Sequence, residues 1–74
     1  MLTVFTSDDC GPCAQYKREL AGLDNVNVVN IDDENNWEMA INQGIMVVPT
    51  SIMPDGTRWV GVKPRSEIMR LLGE

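Results

Sequence analysis

The sequence predicts an α/β fold in which a four-stranded mixed sheet is flanked by helices, in the order β-α-β-α-β-β-α. Three observations carry this prediction. Short runs rich in β-branched and aromatic residues, such as Leu2-Thr3-Val4-Phe5-Thr6, alternate with stretches of helical apolar spacing in the first half. Two apolar runs around Pro54-Asp55-Gly56-Thr57 signal an antiparallel hairpin in the second half. The chain has 74 residues, 43% hydrophobic and 23% charged, with no long polar or repetitive tract, so residues 1–74 are read as a single small domain.

The first strand, residues 2–6, stops at Ser7-Asp8-Asp9. From Gly11 to about Leu23 the spacing becomes helical, with Cys13, Tyr16, Leu20 and Leu23 on one stripe and Pro12 in the first turn. Residues 25–31, NVNVVNI, alternate as a second strand and end in the polar DDENN, where Asp33 or Glu34 suits a helix N-terminus. A second helix is expected from about Glu34 to Gln43, ended by Gly44, with Trp37, Ala40 and Ile41 on its inner face and Trp37 in the core. After IMVVPT, Ser51-Ile52-Met53 and Arg58 to Val62 form the hairpin arms, and Pro64 opens a last helix with Ile68, Met69, Leu71 and Leu72 as its apolar positions. A right-handed β-α-β crossover followed by a hairpin places helices on both sheet faces.

Charge excludes some functions. Eleven acidic against six basic residues give a net charge of -5, and the few Lys and Arg form no stripe, so nucleic acid is not an expected ligand. No run approaches the roughly 20 apolar residues of a membrane span, and the N-terminus lacks a basic region followed by an apolar one. The expectation is a cytoplasmic monomer with no membrane contact.

Both cysteines lie in Asp8-Asp9-Cys10-Gly11-Pro12-Cys13, between the first strand and the first helix. A structural staple is a poor reading, because a bridge closing so short a loop constrains little of the unfolded chain. Zinc is equally poor: structural sites need about four protein ligands and catalytic ones about three, while the chain has two Cys and no His. Redox chemistry needs only the two thiols, one exposed and acidic, the other close enough to resolve a mixed disulfide. A helix N-terminus supplies unpaired N–H groups and a positive dipole end, which favour the thiolate. Cys10 is therefore the expected nucleophile and Cys13, on the apolar stripe, the resolving thiol, with Gly11 and Pro12 setting the poise between them. Asp8 and Asp9 oppose ionisation of Cys10. No bound cofactor or metal is expected beyond the redox-active Cys10–Cys13 disulfide.

A second motif, Val48-Pro49-Thr50, precedes the hairpin. Proline in an apolar strand is tolerated only at an edge, a first residue or a bulge. The residues alone leave the Val48–Pro49 bond open, since most X-Pro bonds are trans.

Cys-Gly-Pro-Cys after the first strand, together with Val-Pro-Thr before the hairpin, resembles the thioredoxin and glutaredoxin superfamily. The resemblance implies a cis Pro49 beside Cys10 and Cys13, with the Val48 backbone offering strand-like hydrogen bonds to an extended substrate and Thr50 starting the next strand. Within the superfamily the tetrapeptide matches thioredoxins and the chain length matches glutaredoxins. Asp9 stands where thioredoxins have Trp, Val4 where they have a buried Asp, and Val28 where they have a nearby Lys. Without that carboxylate, water or another group must handle the proton of Cys13. Gly61-Val62-Lys63-Pro64 does not match the glutathione-binding segment of glutaredoxins, although Lys17 could contribute to the basic residues near their motif. The chain resembles NrdH-type redoxins in Thr6-Ser7-Asp8-Asp9-Cys10, in Lys17-Arg18, and in Trp59-Val60-Gly61-Val62-Lys63-Pro64.

That likeness implies a reductant of protein disulfides, recycled by thioredoxin reductase and donating electrons to ribonucleotide reductase. It also implies that Gly61 lets a substrate backbone approach and that Trp59 touches a partner, although either residue could serve strand ending or packing alone. Two other readings stand beside it: a glutathione-dependent glutaredoxin, and a non-catalytic interaction module using its acidic surface.

Overall fold

The computed structural model describes residues 1–73. Its elements are β1 (Leu2–Thr6), α1 (Gly11–Leu20), β2 (Val26–Asn30), α2 (Trp37–Asn42) preceded by a 3-10 turn (Glu34–Asn36), β3 (Thr50–Ile52), β4 (Arg58–Val60) and α3 (Arg65–Leu71). The strands lie in the order β2-β1-β3-β4. β1 runs parallel to β2 and antiparallel to β3, and β3 and β4 form the hairpin. This is the mixed four-stranded sheet that the order of elements predicts.

Alternation along β1 divides the core between two faces. Leu2 and Val4 are fully buried and cluster with Tyr16 and Leu20 of α1 and Ile68 of α3. Each such apolar side chain, fully buried, contributes about 1.5–3 kcal/mol. Phe5 points the other way and pairs in register with Val29 of β2 and Thr50 of β3, all three buried.

Three expectations need correction. The first helix ends at Leu20, not Leu23. Gly22 takes a left-handed conformation (φ 81°), and the Arg65 guanidinium donates to the carbonyls of Glu19 and Ala21, so α3 satisfies the end of α1. Leu23 still packs, half-buried, against the core.

Trp37 is not a core residue: it is 54% exposed, and Ile41, one turn on, is 76% exposed. The inner side of α2 is instead the one carrying Asn36, Ala40 and Gln43. Asn36 donates its side-chain amide to the Asn30 carbonyl at 2.9 Å, Ala40 is half-buried, and Gln43 with Met39 borders Thr3, Phe5 and Ile52 across a small cavity of about 100 Å³. The apolar pair at i, i+4 suggested one face; a helix of six residues is oriented by its end contacts instead.

The hairpin arms are also shorter than the apolar runs around them. Residues 45–49 lie outside any strand, and β4 stops at Val60. Gly61 turns the chain there with φ 92° while its N–H still donates to the Pro49 carbonyl at 2.9 Å.

Candidate functional site

Cys10 is the N-cap of α1, with extended backbone (φ -132°, ψ 106°). Its Sγ accepts the N–H of Cys13 at 3.1 Å, and its carbonyl accepts the N–H of Ala14 at 3.1 Å. A sulfur therefore occupies the capping position that Ser, Thr, Asn or Asp fills in most helices. Pro12 costs nothing there, because its missing N–H falls in the first turn. Lys17 and Arg18 lie in the last turn, leaving the positive end of the dipole directed at Cys10.

The two cysteines form a disulfide, with Cα atoms 5.1 Å apart. Their surroundings differ. Cys10 is part-exposed at the rim, whereas Cys13 is fully buried on the stripe shared with Tyr16 and Leu20. The pair is thus asymmetric, with one sulfur reachable by another molecule and one enclosed by the fold.

The Val48–Pro49 peptide is cis, as the family resemblance implies. The Val48 carbonyl oxygen lies 3.8 Å from Cys10 Sγ, Pro49 is fully buried, and Thr50 is the first residue of β3. The Thr50 hydroxyl donates to the Val47 carbonyl at 2.6 Å, fixing the approach to the proline. A Cβ at Gly61 would meet nothing within 4 Å, so the space beside the Pro49 carbonyl is open. The structure thus brings Cys10, Cys13, Val48, Pro49, Thr50 and Gly61 to one end of the sheet, with Gly11 and Pro12 exposed above the pair.

Trp59 behaves differently from that group. It is half-buried, packs against the core, and donates its indole N–H to Tyr16 Oη at 3.2 Å. Lys63 Nζ sits 5.2 Å from the centre of its ring. Tyr16 Oη in turn shares a hydrogen bond of 3.0 Å with Ser51 Oγ, and both residues are fully buried. This buried chain from β4 through α1 to β3 was not visible in the sequence, although Ser51 inside an apolar strand is a signal that a partner must exist.

Among the described residues the buried polar groups are the hydroxyls of Thr6, Tyr16, Thr50 and Ser51, and no carboxylate is buried. Val4 is fully buried, pairs with Val28 in β2 and lies opposite Ser51 in β3. Asp8 is turned toward β2: its carboxylate accepts from the Asn30 side chain at 2.8 Å, and its N–H donates to Asp32 at 2.7 Å. Among the described residues no group of three or more His, Cys, Asp or Glu is placed to hold a metal ion.

An open groove of about 420 Å³ lies on the flank, lined by Met46, Val47, Thr50, Trp59 and Val60 among others. No cysteine borders it, so it adjoins the site without containing the reacting sulfurs.

No family model matches the chain. A thioredoxin of Bacillus subtilis (strain 168) is 31% identical over an alignment 83 positions long, which spans 100% of this chain and 80% of that protein. The chain belongs to the thioredoxin family. Among solved structures, chloroplastic thioredoxin z superposes with a TM-score of 0.76 at 27% identity, over 97% of this chain and 74% of that one. NrdH-redoxin from Escherichia coli, described as a glutaredoxin-like protein with a thioredoxin-like activity profile, gives 0.64 at 28% identity, over 95% and 92% of the two chains. A thioredoxin from Thermus thermophilus, with TM-score 0.63 and 23% identity, shares the fold. Family membership and the disulfide-forming pair together make the protein a disulfide oxidoreductase.

Proposed function

We propose that this chain is a monomeric, single-domain dithiol redoxin that reduces protein disulfides, with Cys10 as nucleophile and Cys13 as resolving thiol. The observation that carries the reading is the asymmetry of the pair. Cys10 Sγ is part-exposed and accepts an amide N–H at 3.1 Å, whereas Cys13 is fully buried. A hydrogen bond to sulfur and a helix N-terminus both favour the thiolate, the form that attacks.

In the first step the Cys10 thiolate attacks one sulfur of a substrate disulfide. The substrate S–S bond breaks, its second sulfur leaves as a thiolate, and a mixed disulfide forms on Cys10. Cys13, as thiolate, then attacks Cys10 Sγ; the bond to substrate breaks, the second substrate thiol is released, and the Cys10–Cys13 disulfide closes. Two electrons have passed to the substrate. A reductase must return them before another turnover.

The cis Pro49 and its neighbours suit an extended substrate segment, with the Val48 backbone as strand-like partner and the open side of Gly61 as room for it. Exposed Met46 and Val60, 93% and 64% exposed, supply apolar contact beside this path, and the rim of Trp59 is its neighbour in the groove. Thioredoxin reductase, using NADPH, is the proposed electron donor, and ribonucleotide reductase a proposed acceptor. Similarity to NrdH-redoxin over 92% of that protein's length and its thioredoxin-like activity profile support this branch. A working dithiol needs a reducing compartment, so the cytoplasm is the proposed location.

Two measurements test the proposal. Insulin-disulfide reduction should be abolished in Cys10→Ser, and retained activity would sink the assignment. Turnover with NADPH and thioredoxin reductase should exceed turnover with glutathione and glutathione reductase at least tenfold; the reverse order would make the protein a glutaredoxin in function.

A further inference from the structure

Thr6 is the last residue of β1 and is fully buried, yet its hydroxyl is a buried side-chain polar atom with no hydrogen-bond partner in the disulfide form. An unsatisfied buried hydroxyl is costly, because it gives up its hydrogen bonds to water and gains none in return. Such a group calls for a partner in another state of the molecule.

Its place in the fold identifies one. Leu2, Val4 and Thr6 alternate onto the face that meets α1. The helix of a β-α-β unit runs back antiparallel to its strands, so moving toward the N-terminus of α1 follows β1 toward Thr6. Tyr16 Oη reaches Ser51, which pairs with Val4 in register. Cys13 lies three residues back along α1, about 4.5 Å at the usual helical rise, while Thr6 lies two residues beyond Val4, about 6.6 Å along the strand. Cys13 and Thr6 therefore occupy the next level of the same interface. Both are fully buried, as is Pro49, two residues before Ser51 on β3.

We propose that Thr6 is a positioning residue for the resolving thiol: its hydroxyl donates a hydrogen bond to the Cys13 thiolate once the disulfide opens. This rests on the reading of Cys13 as the resolving thiol. A disulfide sulfur is a weak acceptor and a thiolate a strong, charged one, so the same hydroxyl is idle in the oxidised protein and engaged in the reduced one. Thr6 keeps its proton throughout. Cys13 loses its own to solvent, attacks Cys10 Sγ of the mixed disulfide, and the substrate sulfur departs with the electron pair of the broken bond.

Other groups near Cys13 are occupied elsewhere or exposed. The Tyr16 hydroxyl is shared with Ser51 and Trp59, Lys63 sits over the Trp59 ring, and Asp8 and Asp9 lie exposed in the loop before Cys10. Leu2, Val4, Leu20 and Ile68, the other buried side chains of the core cluster on this face, do not titrate.

The test uses the Cys10→Ser protein, in which Cys13 is the sole thiol, and follows thiolate absorbance against pH. Thr6→Val should raise the Cys13 pKa by about one unit, a tenfold smaller thiolate fraction at any pH below it. Thr6→Ser should keep the parent value. In the otherwise native, oxidised protein, Thr6→Val should leave the urea midpoint unchanged or raised, because the hydroxyl it removes has no partner there. An unchanged Cys13 pKa in Thr6→Val, an equal shift in Thr6→Ser, or a lower oxidised-state midpoint or failure to fold in Thr6→Val would each overturn the proposal. Absorbance needs no substrate, so failure here is separable from failure to reduce insulin.

Discussion

The two faces of the sheet are built to different standards. On the face covered by α1 and α3, Leu2, Val4, Tyr16, Leu20 and Ile68 close into one buried cluster, and the polar groups inside it are joined from Trp59 through Tyr16 to Ser51. On the face covered by α2, Phe5 and Val29 are buried, yet no residue of α2 is itself buried. α2 is held at its margins instead, by Asn36 on the Asn30 carbonyl and by Arg58 donating to the Gln43 carbonyl at 2.7 Å. Cys13 and Pro49 rest on the dense side, while exposed Met46 and Val47 extend from the thin one, beside the proposed path of a partner.

The contrast predicts the largest effect from truncating one isoleucine on each side. Ile68→Ala should lower stability by about 2–5 kcal/mol, and Ile41→Ala, at 76% exposure, should stay within about 0.5 kcal/mol of the parent in urea unfolding. Similar losses at both positions would break the comparison. A smaller effect is expected from polar groups. Tyr16→Phe leaves Ser51 Oγ and the Trp59 indole N–H without their partner and should cost about 1–3 kcal/mol. Arg58→Ala removes one exposed hydrogen bond on the other face and should cost less than about 1 kcal/mol, measured the same way.

The smallest effect lies at the hairpin turn, away from both faces. The Asp55 carboxyl is held below its ordinary value mainly by the backbone N–H of Thr57 and then by the Thr57 hydroxyl. A carboxyl lowered in the folded state contributes stability above its unfolded value, near 3.8, and loses it as pH falls through the folded one. Asp55→Asn should therefore flatten the acid limb of the stability profile slightly and lower the neutral plateau by the same small amount. An acid limb identical to that of the parent would remove Asp55 from the account.

Local signals revealed most of the site. Cys-Gly-Pro-Cys at a strand-to-helix junction announced the N-cap sulfur, because capping depends on residues three apart, and Val-Pro-Thr announced the start of β3. Trp37 was misplaced because the inner side of a six-residue helix depends on what its ends grip. The chain of Tyr16, Ser51 and Trp59 was hidden for another reason: its members are 35 and 43 residues apart and meet only when the sheet has formed.

By itself the sequence determined the order of elements, the position of both sulfurs at a helix start and the turn that makes the hairpin. All of these follow from backbone preferences and short-range hydrogen bonds. Tertiary structure alone decided that Val48 lies 3.8 Å from Cys10 and that the buried Thr6 hydroxyl has no partner; that Cys13 is the enclosed sulfur already followed from its place on the apolar stripe of the first helix. Cross-strand contact and the pairing of a buried hydroxyl depend on segments distant in the chain, and only packing brings those segments together.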